Sequence, residues 1–186
     1  MERKHIRLIP IAIFILVFFF ALATHLTREK ETTVYGSPMI GKRVNFFDMP
    51  ILIGNAERFT PYIWQGRVVL VNFFASWCVP CVQEHQVLME LAKTRRVEIY
   101  GIAWKDKKST VLNWLRTRGN PYQMVGMDNW GKSSIAFGLI GVPETYILDS
   151  RGTVRFVYRS QLTKEVVDNE ILPLIDKIRT EHVSPY

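Results

Sequence analysis

The only two cysteines of this 186-residue chain, Cys78 and Cys81, stand two residues apart. A thiol pair at this spacing can cycle between dithiol and disulfide, contribute to a metal site, or close a small structural bridge. The flanking residues bear on the choice. Val68 to Phe74 is β-branched and aromatic, and it runs into a short Ala75-Ser76 turn. Beyond Cys81, apolar Val82, Leu88, Leu91 and Ala92 alternate with Gln83, Glu84, Gln86 and Glu90 at helical spacing. A buried strand therefore delivers a CxxC to the first turn of a helix, the expected setting of a catalytic dithiol. Unpaired N–H groups and the helix dipole favour an anion there, which lowers the Cys78 pKa. Cys81 lies about one turn further in, within reach of a mixed disulfide at Cys78. Pro80 falls in the first turn, where its missing N–H costs little. A zinc site usually needs four ligands, but there is no second CxxC, and His5, His25, His85 and His182 are scattered. A two-residue bridge closes too short a loop to restrain much chain. The catalytic dithiol is the favoured reading.

The elements that position this pair follow from patterning. Val44 to Phe47 and Ile51 to Ile53 read as short strands before the main one. The helix after Cys78 is predicted to reach about Thr94. Val97 to Ala103 is a second buried strand, and Ser109 to Arg118 an amphipathic helix opening on a serine cap and closing before Gly119. Asn120-Pro121-Tyr122 marks a turn, and Ser133 to Phe137 a short helix. Thr145 to Leu148 and Thr153 to Tyr158 flank an Asp-Ser-Arg-Gly turn as an antiparallel hairpin. Lys164 to Arg179 supplies a closing helix that Pro173 is expected to kink. The order βαβα then ββα predicts an α/β protein, a mixed sheet with helices on both faces in a thioredoxin-like arrangement.

Composition excludes little. The hydrophobic share is 48% and the formal charge +7. The basic residues are dispersed and form no stripe with interleaved aromatics, so nucleic acid is not an expected partner. The N-terminus says more. Met1 to Arg7 is basic, and Leu8 to Thr24 carries no charge; as a helix it would span about 26 Å, enough for a thin bilayer. Loop charge places the N-terminus in the cytoplasm and the rest across the membrane. Ala21-Leu22-Ala23 also resembles a signal-peptidase site, so an uncleaved anchor and a cleaved leader both stay open, the anchor preferred.

Phe73-Phe74-Ala75-Ser76-Trp77-Cys78-Val79-Pro80-Cys81 resembles the active-site run of thioredoxin-fold proteins. Cys81-Val82-Gln83-Glu84-His85, Gly119-Asn120-Pro121-Tyr122, Gly141-Val142-Pro143-Glu144-Thr145 and Glu170-Ile171-Leu172-Pro173-Leu174 are similar to stretches of the CcmG/DsbE family, membrane-anchored thiol reductants of cytochrome c maturation. The resemblance covers Met39 to Ile178 and the anchor. It implies a cytoplasmic n-region at 1–7, a transmembrane signal-anchor at 8–26, a linker at 27–38, the thioredoxin-like domain at 39–180 and a tail at 181–186.

The resemblance implies roles as well. Pro143 would be a cis-proline facing the CxxC, leaving Val142 to pair with an extended substrate peptide, and Trp77 would form an apolar platform beside Cys78. Glu84 and Glu144 are the acids it places near the dithiol; a carboxylate there opposes thiolate formation but can relay the resolving cysteine's proton. Asn72 stands where thioredoxin has a buried acid, and an amide cannot accept that proton, which turns attention to Glu144. His85 reads as a structural or surface histidine rather than a base. The implied activity is reduction of disulfides of apocytochrome c, or of the maturation protein holding it, on the periplasmic side of a bacterial inner membrane. A membrane electron donor of DsbD or CcdA type would restore the dithiol, with no bound cofactor and no metal. The alternatives are a general periplasmic oxidase or isomerase, a Sco-like metallochaperone, and a non-catalytic apocytochrome-binding module.

Overall fold

A computed structural model describes residues 13–24 and 36–181. The chain divides between Gly36 and Ser37. In the first unit residues 13–24 form a helix. The predicted anchor begins at 8 and ends at 26, so both its ends, like His5, His25 and His182, lie outside the described residues. Among those described, no helix is long and apolar enough to cross a membrane.

The second unit is built on a seven-stranded mixed sheet ordered β2-β1-β5-β4-β3-β6-β7. Its strands are β1 (Met49–Ile53), β2 (Arg58–Phe59), β3 (Val69–Phe74), β4 (Glu98–Trp104), β5 (Met124–Asp128), β6 (Glu144–Leu148) and β7 (Val154–Tyr158). Strands β3, β4 and β5 run parallel; β6 is antiparallel to β3, with Phe73 opposite Glu144. The C-terminal ends of the three parallel strands and the start of β6 therefore share one end of the sheet. Helix α1 (Val79–Thr94) links β3 to β4, α2 (Lys108–Arg118) links β4 to β5, and α3 (Lys132–Phe137) precedes β6.

Every residue of β3 is buried, because both faces of the strand are covered. Val69, Val71 and Phe73 join an apolar cluster with Phe47, Phe59, Trp64, Phe137 and Tyr146. On the other face Phe74 stacks on Trp114 of α2 and on Tyr122, at 5.4 and 4.9 Å between ring centres. The continuous apolar run in the sequence reflects this two-sided burial.

The structure corrects four expectations. Val44 to Phe47 is no strand: only Arg43 makes a bridge, to Thr153, and Val44 and Phe47 are buried anchors without a ladder. Strand β5 was not expected, since Met-Val-Gly-Met-Asp has little β-branching. Gly126 is needed at its centre because a Cβ there would lie 2.7 Å from the Met49 sulfur and 2.9 Å from the Phe59 ring. Helix α2 starts at Lys108 with no side-chain cap rather than on Ser109. The closing helix is not simply kinked. Lys164–Val166 passes into a π turn, Val167–Ile171, before Leu172–Glu181. Pro173 cannot donate to the Asn169 carbonyl, and a wider turn is one way a helix absorbs that gap.

Candidate active site

β3 ends at Phe74, and the chain turns through Ala75–Trp77 to Cys78, which caps α1 with extended backbone (φ −87°, ψ 111°). Its Sγ accepts the Cys81 N–H at 3.2 Å. This donor is one of the orphan amides of the first helical turn, so it supports negative charge on Cys78 sulfur when the thiolate forms. The two sulfurs are bonded, with Cα atoms 5.3 Å apart. Cys78 keeps 4% of its surface exposed and Cys81 1%. Cys78 is therefore the sulfur better placed to meet a substrate, and Cys81 the one held beneath. Pro80 sits in that first turn.

The turn before Cys78 is held by the segment after β4. Asp106 Oδ2 accepts the Ser76 N–H at 2.6 Å, and the Trp77 indole N–H donates to the Lys105 carbonyl at 3.2 Å. Lys105 in turn donates its N–H to the Asp128 carbonyl. Trp77 is 56% exposed beside the disulfide, its ring 6.2 Å from that of Trp104.

Across from the disulfide end of β3, the Val142–Pro143 bond is cis. Val142 is half-buried, and its backbone makes no hydrogen bond among the described residues. Glu144, 2% exposed, holds this loop. Its Oε1 accepts the N–H groups of Ile140 and Gly141 at 2.8 and 3.2 Å. Its Oε2 accepts the Tyr146 hydroxyl and lies 3.6 Å from Arg159 Nε. Burial, with the adjacent carboxylate, pushes the Tyr146 hydroxyl pKa upward, so Tyr146 stays a donor.

Beneath the disulfide lies a buried polar network. Asn72 donates both amide hydrogens, to Glu84 Oε1 at 2.8 Å and to Thr145 Oγ1 at 3.1 Å, and accepts the Tyr122 hydroxyl at 2.8 Å. The Leu162 N–H reaches Glu84 Oε2 at 2.9 Å. Glu84, one turn beyond Cys81 on α1, is 1% exposed rather than a solvated acid. Burial pushes its carboxyl up to about 7, against the opposing pull of the Leu162 and Asn72 donors. Tyr122 reaches Asn72 because Gly101 leaves it room; a Cβ there would come within 2.8 Å of its ring. His85 is buried, its Nε2 3.1 Å from the Gly119 carbonyl and its ring 4.3 Å from Trp114. Burial holds its pKa below the usual histidine value.

The structure thus brings Cys78, Cys81, Asn72, Trp77, Pro80, Glu84, Val142, Pro143 and Glu144 to one end of the sheet. The sequence reading did not single out Asp106, Tyr122, Thr145 or Arg159. Asp106, Tyr122 and Thr145 act on partners thirty or more residues away, and Arg159, just past the end of β7, acts on Glu144. Tyr122 and Thr145 fall in stretches read for their resemblance, but nothing local gives their partners. Among the described residues no cluster of three or more histidine, cysteine or acidic side chains could hold a metal ion.

Residues 48–171 match the Redoxin family model. The thiol:disulfide interchange protein DsbE of Pasteurella multocida is 34% identical over 172 residues, covering 91% of this chain and 94% of that protein. DsbE of Escherichia coli K12 is 34% identical over 185 residues, 97% and 98% of the two chains. The thiol:disulfide interchange protein CycY of Rhizobium leguminosarum bv. viciae is 40% identical over 120 residues, 64% of each. Among solved structures, a secreted thiol-disulfide isomerase from Corynebacterium glutamicum superposes with a TM-score of 0.59 at 22% identity, over 72% of this chain and 85% of its own. That likeness shows the fold. The chain belongs to the Redoxin family, in the CcmG/DsbE group, and is a thiol–disulfide oxidoreductase whose reactive group is the Cys78–Cys81 disulfide itself, without an external cofactor.

Proposed function

We propose that the chain reduces disulfides of apocytochrome c, or of the maturation protein that holds it, before haem attachment. It would do so as a membrane-anchored protein with its N-terminus (1–7) cytoplasmic, residues 8–26 spanning a bacterial inner membrane, a linker at 27–38 and the catalytic domain, 39–180 with a tail to 186, in the periplasm. The reading is supported by the uncharged run at the N-terminus, by relatives named for thiol:disulfide interchange, and by one observation above all. An acid tuned to about 7, Glu84, lies one helical turn from the buried Cys81, as a dithiol needs if its resolving thiol is to lose a proton at neutral pH.

Substrate backbone pairs with the free backbone of Val142, and an apolar substrate residue lies against Trp77. Cys78 thiolate attacks one substrate sulfur; the substrate S–S bond breaks, and the second sulfur leaves as a thiolate. Glu84 takes the Cys81 proton. Cys81 then attacks Cys78 Sγ, closing the Cys78–Cys81 bond and freeing the first substrate sulfur, so two electrons pass from dithiol to substrate. Glu144, with its acceptors occupied, positions the Val142–Pro143 loop rather than moving a proton. A membrane donor of DsbD or CcdA type restores the dithiol.

The test is stopped-flow reduction of oxidised CxxCH peptides by the pre-reduced full chain in detergent, beside disulfide peptides lacking the haem-attachment sequence. A clear preference for CxxCH is expected. Equal rates would leave a general periplasmic oxidoreductase in its place. A Cys78–Cys81 potential near about −120 mV, the range of a strong oxidant, would reverse the direction proposed.

A further inference from the structure

At the other end of β3, roughly 20 Å of strand away from the CxxC, a pocket of about 280 Å³ opens between residues 43–46, the Pro61–Trp64 turn and the β6–β7 turn. Its floor is Trp64, fully buried among Phe47, Phe59, Tyr100 and Phe137 with ring centres 5.8–6.2 Å away. Its indole Nε1 is buried and has no hydrogen-bond partner among the described residues. That nitrogen lies 3.7 Å from where a side chain on Gly152 would begin, and Gly152 lines the pocket. An indole N–H only donates, so what completes it is an oxygen acceptor.

The rim has a matching character. Arg43 and Arg151 are exposed, and neither is in an ion pair among the described residues. No acidic side chain lines the pocket. Asp149, at the β6–β7 turn, already accepts the N–H groups of Arg151 and Thr153 and pairs with Arg155 at 3.6 Å. Beside the arginines, Phe46 and Tyr62 are 65% and 63% exposed, with ring centres 5.9 Å apart. Two free guanidinium groups, an orphan donor and an exposed aromatic pair fit one chemistry.

We propose that this pocket binds a carboxylate carried on an apolar or aromatic framework. The guanidinium groups pair with the carboxylate, the Trp64 N–H caps one of its oxygens, and Phe46 and Tyr62 flank the framework. The carboxylate could belong to a free organic acid or to an acidic side chain of a peptide. The site is remote from the dithiol and does not depend on the substrate assignment above.

The test uses the oxidised, 15N-labelled full chain in non-ionic detergent, following the Trp64 indole N–H among the five tryptophan signals. It is titrated with 3-phenylpropanoate, with the neutral 3-phenylpropanamide, with an end-capped Gly-Glu-Phe-Gly peptide, and with inorganic phosphate. A saturable downfield shift is expected with the carboxylates and none with the amide. Affinity should fall about tenfold in Arg43→Gln/Arg151→Gln, a variant whose exposed changes leave the fold in place, as an unchanged melting curve would show. Tighter binding of the peptide than of the free acid assigns the carboxylate to a protein partner; the reverse assigns it to a small molecule. The proposal is overturned if neither carboxylate gives a saturable shift, if the double variant binds as tightly, or if phosphate or the amide competes equally. No outcome of this experiment reads thiol chemistry, so its failure would leave the disulfide assignment standing.

Discussion

Two buried acids, Glu84 and Glu144, sit at the disulfide end of the sheet and are nearly equally hidden, at 1% and 2% exposure. Their surroundings differ. Glu84 receives one backbone N–H and one amide hydrogen, with no cation in ion-pair range among the described residues. Burial pushes its carboxyl up to about 7, and these two donors only partly offset it. Glu144 receives two backbone N–H groups and a hydroxyl, and has Arg159 at 3.6 Å. Burial alone does not assign a role. The partner set separates them: in the proposed mechanism Glu84 is the acid that exchanges a proton with Cys81, and Glu144, through its hydrogen bonds to Ile140 and Gly141, fixes the loop around it.

Removing the disulfide tests the premise that both regions serve it. Cys78→Ser is expected to abolish reductase turnover, while Cys81→Ser accumulates a substrate mixed disulfide visible on a non-reducing gel. Failure to trap any substrate would count against the mechanism whichever acid is kept.

The next largest effect separates the acids by rate. Glu84→Gln should lower the rate of Cys81 resolution ten- to a hundredfold near pH 7 and flatten its pH profile there. Glu144→Gln should leave the profile's shape intact. If Glu144→Gln flattens the profile instead, the roles are reversed.

Stability separates them again. Glu144→Ala strands two N–H groups, a hydroxyl and an ion-pair partner, and should cost about 3 kcal/mol in urea unfolding. For Glu84 the folded pKa is raised, from 4.5 to about 7. Its contribution is fully present below pH 4.5 and is lost as pH rises through 7, by about 3 kcal/mol. His85, with its pKa lowered from 6.5, acts in the opposite sense, losing stability as pH falls below 6.5. Comparing wild type with Glu84→Gln from pH 4 to 8 cancels the histidine, and the difference should favour the glutamine variant increasingly toward pH 8. The smallest effect is expected from Asp106→Asn, which weakens the hold on Ser76 by about 1 kcal/mol and slows turnover only severalfold.

The CxxC, its strand and its helix were legible because each is written in contiguous residues: the apolar run of β3, the cysteines and the helical spacing that follows. Pro143 and Glu144 were legible only through resemblance. Asp106 and Arg159 were not legible at all, nor was the part Tyr122 plays. Tyr122 reads as part of a turn, yet it closes the network on Asn72 because Gly101 on β4 admits its ring. Strand β5 went unseen because its Gly126 answers to Met49 and Phe59 across the sheet, not to its own neighbours.

By itself the sequence determined the chemistry: two thiols at the mouth of a helix, delivered by a strand buried on both faces. Local pattern suffices there because backbone period, helix termini and thiol acidity are all short-range. Only the tertiary structure decided what surrounds the acids. Glu84 and Glu144 are the same residue type, and what separates them is a Leu162 amide and an Asn72 side chain in one case, and Arg159 with the Ile140–Gly141 turn in the other. A buried carboxyl's hydrogen-bond and ion-pair partners are the groups within a few ångströms of it, and folding chooses those from across the chain.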